Sequence, residues 1–224
     1  MDLRVPRSDG LPKTLIQAWA TFLSHKTPRT VLCLCLALLL YRLQESPVSW
    51  ADLPVACGAV CVWLAQEWAI HAKLLHSKAA WFGRDLHEQH HSTQYFHVCI
   101  DGVELVAPVM LLALGVFSAA FYSAPALGHT ASLSYWAAGL GYLWTHYFVH
   151  LPVPTSSCWA KAVRRHHMLH HCRSEEYWLA FCVPAVDAIF NTLPASASAV
   201  SVTPLAARQK DRMRGKADTA LPAL

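Results

Sequence analysis

Long apolar runs, rather than an alternation of apolar and polar positions, dominate this chain. Four segments, at about 30–43, 54–75, 103–122 and 133–153, are nearly free of charge. Each of the last three reaches the roughly 20 residues that carry a helix across a bilayer. The first, bounded by Pro28 and Pro47, is shorter and is expected either to extend at its ends or only to dip into the membrane. The connections 44–53 and 123–132 are short, which forces antiparallel helical hairpins. The predicted fold is therefore all-α, an integral-membrane bundle of about four transmembrane helices with a cytosolic helical cap. A segment 1–29 precedes it, the membrane-embedded domain covers 30–204, and a basic tail follows over 205–224.

Composition agrees with the pattern. Of 224 residues, 54% are apolar and 14% charged, against about 25% charged in an ordinary soluble domain. Nine Trp, eight Phe and seven Tyr exclude a chain that stays solvated, and the length excludes a large multidomain enzyme. The net charge of +4 does not mark a nucleic-acid binder, because Lys and Arg form no stripe and cluster outside the apolar runs. Of the 18 Lys and Arg, 17 fall in 1–29, in the 73–102 connection or after 151. The positive-inside rule then places both termini and the long connections on the cytosolic side, which means the endoplasmic reticulum membrane if the chain is eukaryotic. The eight cysteines show no paired C-x-x-C units, and a secreted disulfide framework is not expected. Residues 1–29 lack an apolar core followed by a cleavage site, so the run from Thr30 is read as a retained anchor.

Histidine changes the picture. There are 14, as many as all the acids together. Twelve fall on the one predicted cytosolic face, and only His25 and His129 stand apart. They form boxes: His71-Ala-Lys-Leu-Leu-His76, His87-Glu-Gln-His90-His91, His146-Tyr-Phe-Val-His150 and His166-His167-Met-Leu-His170-His171. On a helix, positions i, i+3 and i+4 share a face, so each H-x-x-H-H unit is a comb of imidazoles able to hold one ion or bridge two. His71 and His76, five apart, would be splayed by a regular helix, which predicts a local irregularity or service to different ions. An H-x-x-H-H match is expected by chance about 0.05 times in such a chain, and two are present. His97, His129 and His25 read as ordinary surface or core histidines. Imidazole suits iron, zinc, copper and nickel alike, but so many ligands exceed what one ion accepts. A catalytic pair of ions with open positions fits better than a four-coordinate structural zinc.

These boxes, in this order and between hydrophobic hairpins, resemble the fatty acid hydroxylase/sterol desaturase superfamily of integral-membrane non-haem di-iron oxygenases. The likeness spans about 60–193 and includes Glu67 four residues before His71, the run Arg164-Arg-His-His-Met-Leu-His-His171, and Asp187 and Thr192, which resemble the W-D-x-x-F-G-T ending of that family. Ala188 and Asn191 stand where Arg and Gly are usual, and the Gly after the last comb is missing from the run 177–181. The resemblance implies a di-iron centre (zinc in some purified forms) held by His71, His76, His87, His90, His91, His146, His150, His167, His170 and His171, with no catalytic residue beyond these ligands. Glu67, His166 and Asp187 are then candidates to orient ligand rings.

The implied activity is O2-dependent hydroxylation of a lipid, most simply a fatty acyl chain, with a sterol or carotenoid hydroxylase or a lipid desaturase as the alternative. No haem-binding segment, dinucleotide fingerprint or Cys-rich module is present, so a separate electron donor such as cytochrome b5 or ferredoxin is expected, with Lys161, Arg164, Arg165 and the basic tail to dock it. Two rivals are a His-rich membrane metal transporter, which would need ionisable groups in mid-membrane, and a membrane protein whose helices zinc staples together.

Overall fold

Residues 10–93 and 97–208 are described here from a computed structural model of the chain. The α-helices named below follow in order: α1 (Leu15–Ser24), α2 (Lys26–Glu45), α3 (Asp52–Ala69), α4 (Phe82–Ser92), α5 (Val103–Ala120), α6 (Pro125–Val149), α7 (Cys158–Cys172) and α8 (Ala185–Ile189). No strand occurs among the described residues. Most of the basic tail, from 209 onward, lies outside them.

Helix α6 is the axis of the bundle, packed against α2, α3 and α5. Its 25 residues reach about 37 Å at 1.5 Å each. Much of it faces protein: Tyr135, Trp136, Leu143, Tyr147 and Phe148 on it are buried. Among the described residues, the helices long and apolar enough to cross a membrane are Asp52–Leu75 and Val103–Ala120, and α1 with α2, bent by 83°, make a third if they count as one span. Their outward side chains, among them Leu36, Leu40, Val62, Leu111 and Leu112, are exposed, as expected of a surface that meets acyl chains. Trp50 and Tyr122 stand exposed where α2 meets α3 and α5 meets α6, a placement typical of aromatic residues at a membrane interface.

The helix ends differ from the sequence expectation for physical reasons. The first apolar run grows from 30–43 to Lys26–Glu45, since Pro28 sits in the first turn, where a missing N–H costs no helical bond. The polar stretch 123–132 is the start of α6, which Pro125 opens. Its polarity serves other helices: Thr130 Oγ1 donates to Asp52 (2.6 Å) and accepts from Arg42 Nε (2.8 Å), while His129 Nδ1 donates to Glu45 (2.7 Å). Arg42 and Asp52 close the knot with a buried ion pair of 2.5 Å. The fourth run ends at Val149, not 153, because Pro152 and Pro154 follow.

At the other end the bundle is tightened by aromatics. Trp19 of α1 stacks on Trp144 at 3.6 Å, and Tyr147 donates to the Ala18 carbonyl (3.1 Å). Trp63 of α3 lies over Gly139, where a Cβ would come within 3.1 Å of its ring, so glycine sets the closeness of α3 to α6.

Candidate metal centre

Beyond Ala69 the third helix widens into a π-helical segment, Ile70–Leu75. The bond from His76 N to His71 O (3.3 Å) spans five residues, which returns positions i and i+5 to one face. Of the two outcomes expected from the H-x-x-x-x-H spacing, the local irregularity is the one present, and both histidines of the box point into the same group.

Ten of the eleven histidines of the four boxes converge and divide into two groups, and His166 does not join them. In the first, the Nε2 atoms of His71, His76, His87, His91 and His170 gather within 4.8 Å of one another. Neighbouring Nε2 atoms lie 3.1 Å apart for His71 and His87, 3.0 Å for His87 and His76, and 3.1 Å each for His76 and His170, His170 and His91, and His91 and His87. The second group contains His90, His146, His150 and His167. Here Nε2 separations are 3.1 Å for His146 and His90 and 2.8 Å for His150 and His167, and His171 Nε2 stands 3.0 Å from that of His167.

Each comb thus serves both groups. His87 and His91 (i, i+4) enter the first and His90 the second, whereas His167 and His171 enter the second and His170 the first. The spacing fits a metal. Bonds of about 2.1 Å at right angles put neighbouring nitrogens about 3.0 Å apart, whereas a tetrahedron of the same bonds puts them about 3.4 Å apart. The observed 2.8–3.1 Å suits coordination numbers above four. A five-histidine group likewise exceeds the four ligands of a structural zinc.

Electrostatics keep the rings ready as ligands. Burial, reinforced by neighbouring histidines, holds His76 down to about 3 and keeps His87, His90, His91, His167, His170 and His171 well below the usual imidazole range. The neutral ring offers a lone pair, which is the form a metal takes. Buried Nδ1 atoms of His91 and His167 have no partner.

The residues expected to orient the rings meet other partners instead. Glu67 reaches no histidine: its Oε1 accepts from Cys182 N (3.1 Å), and its buried Oε2 has no partner. His166 turns away from both groups and donates from Nε2 to Asp187 (2.7 Å). Direct support comes from two peptide carbonyls. His71 Nδ1 donates to Leu179 O (2.6 Å) and His170 Nδ1 to Tyr177 O (2.9 Å).

Sequence reasoning passed over His97. It is 2% exposed, with Nε2 3.1 Å from His90 Nδ1 and its ring centroid 4.6 Å from that of His150. Cys99 Sγ lies 3.4 Å from the same Nδ1. No helical spacing connects 97 to 90 across the intervening turn, so only its nearness to the comb could have signalled it. Of the cations proposed for docking, Lys161 and Arg165 are exposed, but Arg164 is a structural residue that donates to Val153 O (2.9 Å) and covers the Phe148 ring at 5.1 Å.

A cavity of about 430 Å³ opens beside the histidines. Apolar residues of α3, α4, α5 and α6 line most of it, including Ile70, Leu86, Val106, Val109 and Leu143. Its wall includes His71 and His87 of the first group and His146 and His167 of the second, together with Glu67.

The chain is similar to known proteins in sequence and in fold. Over 150 residues the chain is 27% identical to the dihydroceramide fatty acyl 2-hydroxylase FAH1 of Arabidopsis thaliana, an alignment covering 63% of this chain and 61% of that protein. The chain therefore spans about three fifths of the length of that curated relative. Its fold is similar to the hydroxylase domain visible in the structure of full-length scs7p, with a TM-score of 0.59 and 15% identity over 79% of this chain and 68% of that one. The family model for fatty acid hydroxylases matches residues 56–192, which is more than half of the chain and holds every histidine of the two groups. With its long apolar helices, the chain is a membrane protein of the fatty acid hydroxylase family.

Proposed function

We propose that this protein is a di-iron lipid hydroxylase that inserts one oxygen atom of O2 into an acyl C–H bond, using electrons from a separate donor. The observation that carries this reading is the apolar cavity, whose wall is shared by histidines of both groups. A lipid chain lying in it would meet both metal sites at once. Its volume falls within the roughly 300–1,000 Å³ of ordinary ligand pockets.

In this reading His71, His76, His87, His91 and His170 hold one iron, and His90, His146, His150, His167 and His171 the other. The bound irons supply O2 activation and removal of a hydrogen atom from an unactivated carbon. The chain's own residues do the rest. Helices α3, α4, α6 and α7 fix the imidazoles, the peptide carbonyls of Tyr177 and Leu179 keep two of them in the tautomer with a free Nε2, and the apolar wall excludes water from the reacting carbon. Substrate enters sideways from the bilayer, and the metal sites face the cytosol, with the endoplasmic reticulum as the membrane in a eukaryote. The domain extends over 30–204. Cytochrome b5 or a ferredoxin supplies electrons at the exposed Lys161 and Arg165. The acyl 2-hydroxylase named for the Arabidopsis relative supports an acyl chain over a sterol or carotenoid.

Anaerobic reconstitution with iron, followed by reduction and exposure to O2 in a lipid-rich host membrane, tests the proposal. Two irons per chain, O2 consumption and lipids heavier by about one oxygen (16 mass units) are expected. Lipids lighter by about two mass units would instead make it a desaturase, and zinc binding without lipid turnover would overturn the oxygenase reading.

A further inference from the structure

The first metal-ready group has a carbonyl support that traces to one residue. Asp187, on α8, is fully buried and belongs to neither group. Its Oδ1 accepts from Leu179 N (3.0 Å) and from Thr192 Oγ1, and its Oδ2 accepts from Ala180 N (3.0 Å) and His166 Nε2 (2.7 Å). All four partners donate, so the carboxylate is saturated as an acceptor. The strap it grips, residues 177–181, presents the two carbonyls that receive His71 and His170.

A carbonyl only accepts, so each of these imidazoles must carry its proton on Nδ1 and leave Nε2 with a lone pair. Both belong to the first group. Between the two carbonyls Trp178 takes the left-handed conformation, φ 57°, which an indole side chain does not adopt without restraint. Its N–H is held by Thr192 O (3.0 Å). The strap would relax without these anchors, and its carbonyls would turn.

We propose that Asp187 is a positioning residue for the first histidine group, acting through the Leu179 and Tyr177 carbonyls, so that its carboxylate sets the metal affinity of that group and not of the other. The inference rests on the reading of both groups as metal sites. Asn at 187 has the same shape but turns an amide N–H₂ toward donors, and two of the four bonds become donor against donor.

The test is metal titration of the full chain in detergent, depleted of metal and refilled with Co²⁺ or Zn²⁺, with bound metal per chain and the Co²⁺ visible spectrum as readouts. Wild-type protein is expected to take about two ions, and Asp187→Asn about one, with first-group affinity down about 10- to 100-fold. Asp52→Asn breaks a buried carboxylate network at the far end of the bundle and controls for general destabilisation. It should lower the melting temperature and leave two ions bound. If Asp187→Asn does not fold, Thr192→Val, which removes the hydroxyl donor to Asp187 together with the acceptor of Trp68 Nε1, is titrated in its place and should weaken the same single site. Two ions bound with unchanged affinity, or equal weakening of both, overturns the role of Asp187. Failure of the wild-type chain to bind metal overturns instead the metal reading on which it rests.

Discussion

The imidazoles of His91 and His171 stack with centroids 4.2 Å apart and planes 20° from parallel. Each closes its own H-x-x-H-H comb, and each belongs to a different group. The two groups correspond in make-up: a pair from the π-helical segment and its cap, a pair from α4 and a single from α7 on one side, answered by a pair from the end of α6, a pair from α7 and a single from α4 on the other. His91→Ala and His171→Ala should each leave about one tightly bound ion and cut lipid turnover by about 100-fold or more, because the reaction needs both ions. Metal analysis beside product mass spectrometry checks this. Full turnover in either variant would contradict the pairing.

His97 should matter to the second group only. If His90 binds metal through Nε2, its Nδ1–H donates to His97 Nε2 across the 3.1 Å that separate them. His97→Ala is expected to weaken metal binding at that site by about 10- to 100-fold, and His97→Gln, which keeps an acceptor, to recover part of the loss. Equal affinities in wild type and His97→Ala, measured by competition with a chelator, would dismiss the residue.

Acid should release the metals and loosen the metal-free fold together. Burial depresses His76 to about 3, and His87, His90, His91, His167, His170 and His171 also lie well below the ordinary value of 6.5. Above pH 6.5 these rings are neutral whether folded or unfolded, and stability is at its full value. As pH falls from 6.5 toward their folded values, the unfolded chain binds protons that the folded chain does not. Each ring kept neutral then costs about 1.4 kcal/mol per pH unit. Melting temperature should therefore decline steadily below pH 6.5, and bound metal, which competes with the same protons, should be lost over the same range. A melting temperature independent of pH between 7 and 5 would refute this.

Charge reversal at Lys161 and Arg165 should raise the donor KM about tenfold with cytochrome b5 or ferredoxin, an effect that high salt erases in the wild type. Turnover driven by dithionite should not change. Arg164→Glu should behave differently, losing stability as well, since that guanidinium ties α7 to the end of α6.

Much of this architecture was legible in the sequence. The apolar runs gave α3 and α5 nearly to the residue, and the resemblance that the boxes carry named the ten histidines that converge. Other features depended on tertiary context. The stretch 123–132 looked like a loop because Thr130 and His129 are polar, yet that polarity is spent on Asp52, Arg42 and Glu45 of neighbouring helices. The crossing of the combs between groups follows from helix geometry, since i and i+4 lie about 40° apart whereas i+3 falls about 60° to the other side. Which comb member goes to which group still depends on where α4 and α7 sit. His97 and the carbonyl strap were hidden for a simpler reason: a backbone oxygen has no letter, and a lone histidine has no spacing.

The π-helical segment holds a last consequence. His146 and His150 reach the second group from an ordinary helix with three residues between them, whereas His71 and His76 reach the first with four, the extra residue being taken up as a wider turn. Residue spacing and helix type are therefore interchangeable here. A chain that lost one residue between His71 and His76 could keep the same pair of imidazoles by rewinding that turn to the α form. Three or four residues in this box would then be compatible with one and the same arrangement of imidazoles.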